Sequence, residues 1–142
     1  MTPEEITLVQ ESFEKVKPMA AQAAELFYQR LFELNPILRL VFRGDMQEQG
    51  RKLMQMIGVA VKGIDCPQEL LPAVRALGER HAAYGVSDKD YETVCAALLW
   101  TLEAGLGAAF TAATRGAWLK VYNLLAETMK EAAHKVAVPA SV

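Results

Sequence analysis

The stretch LLPAVRALGERHAAYGV, residues 70–86, decides how the chain is read. Leu70, Val74, Leu77 and His81 recur at offsets of three and four, the spacing that holds side chains on one face of an α-helix. The stripe is apolar up to its last member, so the helix carries an imidazole to the end of a hydrophobic wall. These residues alone leave two readings open. A neutral ring is a common metal ligand, and it can equally be a core histidine satisfied by a backbone carbonyl. His81 is one of only two histidines in the chain.

Outward from this helix the pattern stays helical. Thr2 and Glu5 form a capping box around Pro3, and Ile6, Val9, Phe13 and Val16 follow as the buried stripe of a first helix. Pro18 ends it or starts the next. The second helix runs from about Ala20 to Leu34, with Phe27, Leu31 and Tyr28, Phe32 as offset pairs, and Asn35–Pro36 stops it. RGDMQEQG, residues 43–50, reads as a polar corner. Leu53, Met54, Ile57 and Val61 define another amphipathic helix, which Gly63 and the loop before Pro67 bring to an end. Ser87 and Asp90 cap a long helix through Leu106. Thr111 opens the last one, with Trp118, Tyr122, Leu125 and Met129 facing inward. No stretch alternates with period two for long enough to demand a strand, so the expectation is an all-α domain of seven to eight helices without repeats or linkers.

The bulk composition narrows the function classes. With 142 residues, 52% of them apolar, the chain reads as one domain spanning 1–142. Fifteen basic and seventeen acidic residues give a net charge of −2 without a single-signed block, which weighs against a nucleic-acid partner. The apolar run from Val94 to Leu102 falls far short of the roughly 20 residues that cross a bilayer. The start MTPEEITLVQ is acidic and amphipathic, unlike a cationic signal peptide, so a cytoplasmic protein with no membrane partner is expected. In that compartment Cys66 and Cys95 read as free thiols. The six methionines read as core filler.

Four features stand in order along the chain: Asn35–Pro36 followed by Phe42; EQGRKLMQMIG at 48–58; LGERHAAYGV at 77–86; and Trp118. With them the chain resembles the globin family from the first helix to about Met129, most of all single-domain bacterial haemoglobins and neuroglobin-like globins. The resemblance implies a globin fold around a haem pocket, with haem b as cofactor and His81 as the proximal iron ligand. Phe42 would pack on the porphyrin face. Gln49, Leu53 and Ile57 would line the distal side from one helix, and their offsets of four and eight independently permit that. Tyr28 would point over the iron from the second helix; its meeting with Gln49 is implied by the resemblance alone. Leu77, Val86, Tyr91 and Val94 would form the proximal wall, although for Val94 a plain core role reads equally well. Lys52, Arg80 and Arg51 would face the propionates. Iron ligation by Lys52 would require loss of a proton from a group with a reference pKa of about 10.4.

One crossing follows from packing. Where the second and distal helices cross, small residues are needed, and Ala24 and Gly50 supply them. A helical glycine costs about 1 kcal/mol relative to alanine, so Gly50 calls for such a reason.

The implied function is reversible binding of O2, with NO and CO as further diatomic ligands. Tyr28 and Gln49 as donors predict high affinity and slow release. Gln49 stands where many globins carry a histidine, so the sixth iron position lacks that strong internal ligand. His134 is expected in a solvated tail. The alternative is nitric oxide dioxygenation, which would require a separate reductase because the chain has no Gly-rich dinucleotide loop. In the flavohaemoglobins an acid reaches the proximal histidine through a tyrosine. Tyr91 fits the tyrosine, but the count lands on Ala133 rather than an acid, with Glu131 two residues away. A haem-free sensory or interaction domain is a third reading, which the pairing of His81 with Phe42 disfavours.

Overall fold

In the computed structural model the described residues are 1–42, 44–83 and 86–141, with the side chains of 83 and 135–141 excepted. Arg43 of the expected corner and Tyr84 and Gly85 of the histidine motif therefore lie outside the described residues. Among the described residues there are six α-helices: α1 Pro3–Val16, α2 Ala20–Leu34, α3 Met46–Gly63, α4 Pro67–Ala83, α5 Asp88–Leu106 and α6 Ala112–Ser141. Three 3-10 turns, Lys17–Met19, Pro36–Val41 and Gly107–Ala109, join them, and there is no strand among the described residues. The count falls below seven to eight because the pieces at Pro18 and Pro36 close as 3-10 turns. Such short runs cannot be told from α-helix by periodicity.

The helix starts are set by local chemistry. Thr2 and Glu5 form the expected reciprocal box at α1, and Ser87 and Asp90 do the same at α5. The Asn35 side chain accepts from the Ile37 amide at 3.2 Å and opens the turn after α2. The corner before α3 is shorter than expected. The Asp45 side chain accepts from the Gln47 amide at 2.9 Å, so the helix begins at Met46 and takes in most of RGDMQEQG. At the other end, α6 runs on past Met129 and incorporates His134. His134 is accordingly no tail residue: its Nε2 lies 3.3 Å from Asp88 Oδ1, at an exposed contact between α6 and the start of α5.

The core has two parts. Val9, Phe13 and Val16 of α1 pack against Trp118 and Val121 of α6, and the buried Trp118 Nε1 donates to Ser12 Oγ at 2.8 Å. The second cluster gathers Phe27, Tyr28 and Leu31 of α2 with Leu38 and Ala97. Two crossings are tight enough to require glycine. A Cβ on Gly50 would lie 2.9 Å from Ala24 Cβ, the close approach of α2 and α3 expected from the sequence. A Cβ on Gly78 would lie 2.4 Å from the Met129 carbonyl oxygen, so α4 rests directly on the backbone of α6.

Candidate functional site

Two faces come from α3 and α4. Along α3, Gln49, Leu53 and Ile57 all lie half-buried on one stripe, while Lys52 is exposed. Along α4, Leu77 and His81 are half-buried and Arg80 is exposed. The two helices meet at their shared corner, where a Cβ on Gly63 would touch the Leu70 side chain at 3.3 Å. Beyond it, α4 is held by α6.

His81 Nδ1 lies 2.8 Å from the carbonyl oxygen of Leu77, one turn back on its own helix. A carbonyl has no proton to give, so Nδ1 carries the hydrogen and donates it. In the neutral ring the lone pair is then on Nε2. This bond also fixes the ring's rotation, as a hydrogen bond from the non-ligating nitrogen of a metal-binding histidine does. The carbonyl partner of the core-histidine reading is thus present at Nδ1.

The opposite corner is aromatic. Tyr28 is buried, with its ring edge-on to Phe42 at 5.2 Å between centroids and stacked on Phe32 at 6.0 Å. Leu53 and Val94 pack on the same cluster, so the structure brings together Tyr28, Phe42, Leu53 and Val94. Ile57, Leu77, Val86 and Tyr91 belong to the main core instead. Tyr28 reaches α3: its hydroxyl donates to the Gln49 carbonyl oxygen at 3.4 Å. The meeting of residues 28 and 49 is therefore real, but it runs through the backbone of Gln49. At 3.4 Å the bond is long. Burial pushes the Tyr28 phenol up to about 12, so it keeps its proton as a donor throughout the neutral range.

Tyr91 is buried, and its hydroxyl makes no hydrogen bond to Glu131 or to any other described group. Its backbone carbonyl accepts from the Tyr122 hydroxyl at 2.6 Å, which pins α5 to α6. Lys130 Nζ stands 5.6 Å from the centre of the Tyr91 ring. The phenol thus has a cation near its ring and lacks the carboxylate of a relay. Arg51 pairs with Glu48 on its own exposed helical face. Cys66 and Cys95 are both free thiols, and burial raises the Cys95 thiol above its usual range.

Sequence reasoning missed Gly78 and the Leu77 carbonyl. Gly78 sits one turn before His81 inside a helix, and the argument that singled out Gly50 applied to it equally. The carbonyl had no signal, because every residue carries one.

The donor set fits haem. Phe42, Leu53, Ile57, Leu77, Val86 and Val94 are apolar and only partly covered by the rest of the chain, and the histidine tautomer fixed by the Leu77 carbonyl carries its lone pair on Nε2, which is the chemistry a haem site needs.

Comparison with known proteins agrees with this geometry. A family model described as Globin matches residues 25–129. Neuroglobin of Chaenocephalus aceratus is 30% identical over 138 residues, 87% of each chain, and neuroglobin of Danio rerio is 30% identical over 136 residues, 86% of each. Among solved structures, an engineered carbene transferase of Rhodothermus marinus, assigned as a nitric oxide dioxygenase, superposes with a TM-score of 0.89 at 24% identity. That superposition covers 100% of this chain and 99% of the other, and it speaks for the fold.

Proposed function

The chain belongs to the globin family, which implies haem binding, and from that premise we propose that it holds haem b through His81 Nε2 and binds O2 reversibly. The observation that carries this reading is the 2.8 Å contact from His81 Nδ1 to the Leu77 carbonyl, which supports the tautomer with its lone pair on Nε2. Haem, when bound, supplies an iron with one position open to a small gas. The chain supplies the rest. Leu77, Val86 and Val94 wall the proximal side, Leu53 and Ile57 keep water from the distal side, and Phe42 is set by its edge contact with Tyr28. Lys52 and Arg80, both exposed, stand ready for the propionates.

Tyr28 is the principal distal donor. Its bond to the Gln49 carbonyl is long, so the proton can turn to a better acceptor, a gas atom carrying partial negative charge. The Gln49 side-chain amide is the second donor. High O2 affinity with slow release follows, and NO and CO fit the same space. The chain is read as one globin domain, 1–142, a reading supported by the core that α1 and α6 share. No described helix is long and apolar enough to cross a membrane.

The second reading is nitric oxide dioxygenation with a separate reductase, prompted by the assignment of the Rhodothermus marinus protein. The Tyr91 hydroxyl, without an acid partner, favours binding over turnover. Spectra of the purified chain test the proposal. A Soret band is expected, and His81→Ala should abolish it or shift it markedly. An unaltered spectrum in that variant would overturn the assignment. Nitrate formed per NO consumed, with a reductant supplied, separates the two readings.

A further inference from the structure

Ring packing, rather than hydrogen bonding, sets where the Tyr28 hydroxyl stands. Its bond to the Gln49 carbonyl is 3.4 Å long, too weak to hold the ring. Three other rings hold it instead. Phe27 and Phe42 meet Tyr28 edge-on at 5.1 and 5.2 Å between centroids, and Phe32 is stacked on it at 6.0 Å with the planes 28° apart. To swing the hydroxyl away, the Tyr28 ring has to push one of these aside. Phe27 is buried in the core, and Phe42 is itself met edge-on by Phe32 at 5.7 Å. Phe32 is thus the ring that touches both, and it is only half-buried.

One exposed side chain bears on Phe32. The guanidinium carbon of Arg39 stands 5.7 Å from the centre of that ring, within the range at which a cation is attracted to an aromatic face. Arg39 lies in the turn Pro36–Val41, whose start is fixed by the Asn35 side chain and whose end is fixed by the bond from the Phe42 amide to the Arg39 carbonyl at 3.3 Å. Its backbone is therefore anchored beside the aromatic corner. Arg30 and Arg51 are each tied to a glutamate three residues away, whereas the Arg39 guanidinium is given to the ring.

We propose that Arg39 is a positioning residue for the distal donor: lying over Phe32, it tightens the cage of rings that aims the Tyr28 hydroxyl. The proposal rests on the gas-binding reading above. A surface cation thereby acts on gas release without touching the gas, because each contact from Arg39 to Phe32 to Tyr28 restricts the next.

Arg39→Ala removes the cation from an exposed position and leaves all four rings in place. In the haem-loaded protein it should speed O2 release about two- to fivefold in stopped-flow displacement. Arg39→Lys returns a cation and should stay near the parent rate. In the Tyr28→Phe background the alanine should have no effect. The C–O stretching band of the CO complex should broaden in Arg39→Ala and stay narrow in Arg39→Lys. With 13C-labelled tyrosine in the full chain, with haem or without, NMR should show the Tyr28 ring flipping faster in Arg39→Ala. An unchanged release rate or an unchanged flipping rate in that variant overturns the proposal. So does acceleration of equal size in the Tyr28→Phe background, since Arg39 would then act elsewhere. Phe32→Leu removes the ring that transmits the effect, so adding Arg39→Ala to it should change nothing further, and a further change overturns the route through Phe32. Release that is unchanged in Tyr28→Phe alone would instead strike the distal-donor reading, while the flipping rate still tests the cage.

Discussion

Tyr28, the proposed distal donor, has a proton that burial protects and a hydrogen bond too long to hold it firmly. A donor of this kind, aimed at a partly charged gas atom, contributes about 1.5–3 kcal/mol, or roughly ten- to a hundredfold in dissociation rate. Tyr28→Phe keeps the ring that packs on Phe42 and removes only the hydroxyl. Stopped-flow displacement of O2 should therefore show release faster by that factor, and an unchanged rate would dismiss Tyr28 as the donor. The stripe ending at His81 was plain in the sequence because helical periodicity is local. The partner that selects the Nε2 lone pair was hidden, since a main-chain carbonyl leaves no mark in the side-chain pattern. Tyr28 and Gln49 lie on different helices, so spacing could not bring them together, and the carbonyl rather than the amide proved to be the contact.

Among the elements, α4 is placed by what it lacks. A methyl group at position 78 would meet the α6 main chain at 2.4–2.9 Å, and main chain cannot rotate aside as a side chain can. Gly78→Ala should lower stability by about 1–3 kcal/mol or more in urea titration and disturb the helix that carries His81. Gly116→Ala, also inside a helix but with nothing within 4 Å of its Cβ position, should raise stability by up to about 1 kcal/mol. Equal effects at the two sites would refute the close-contact account. Capping boxes and breakers made most helix ends legible: Thr2 with Glu5, Ser87 with Asp90, and Asn35 before Pro36 all act as their residue types require. What could not be read was whether the six residues Pro36–Val41 close as α or 3-10, because the two differ by a fraction of a residue per turn.

Across the whole molecule, Glu5 ties the first turn of α1 to Lys120 of α6. The hydrogen bond from Lys120, with help from the Thr2 backbone, holds the Glu5 carboxyl down at about 2. A carboxyl depressed in the folded state stabilises above its unfolded pKa, about 4.3, and that contribution disappears as pH falls from there toward 2. Urea midpoints measured from pH 5 to pH 2 should decline less steeply in Lys120→Met than in the parent, and parallel curves would exclude the pair as a source of acid sensitivity. The order of the motifs along the chain made the family legible, because each motif occupies one helix and the helices follow in sequence. Distances between helices depend on side chains far apart in the chain, and Ala24 with Gly50 is the one crossing that residue size alone announced.

The two glycine crossings differ in what faces them. At position 50 the obstacle is the methyl of Ala24, so a lineage could exchange the small residues between the two helices and keep the packing. At position 78 the obstacle is an atom common to all twenty amino acids, and no replacement at 129 can retreat from it. Drift has a compensating partner at the first site and none at the second.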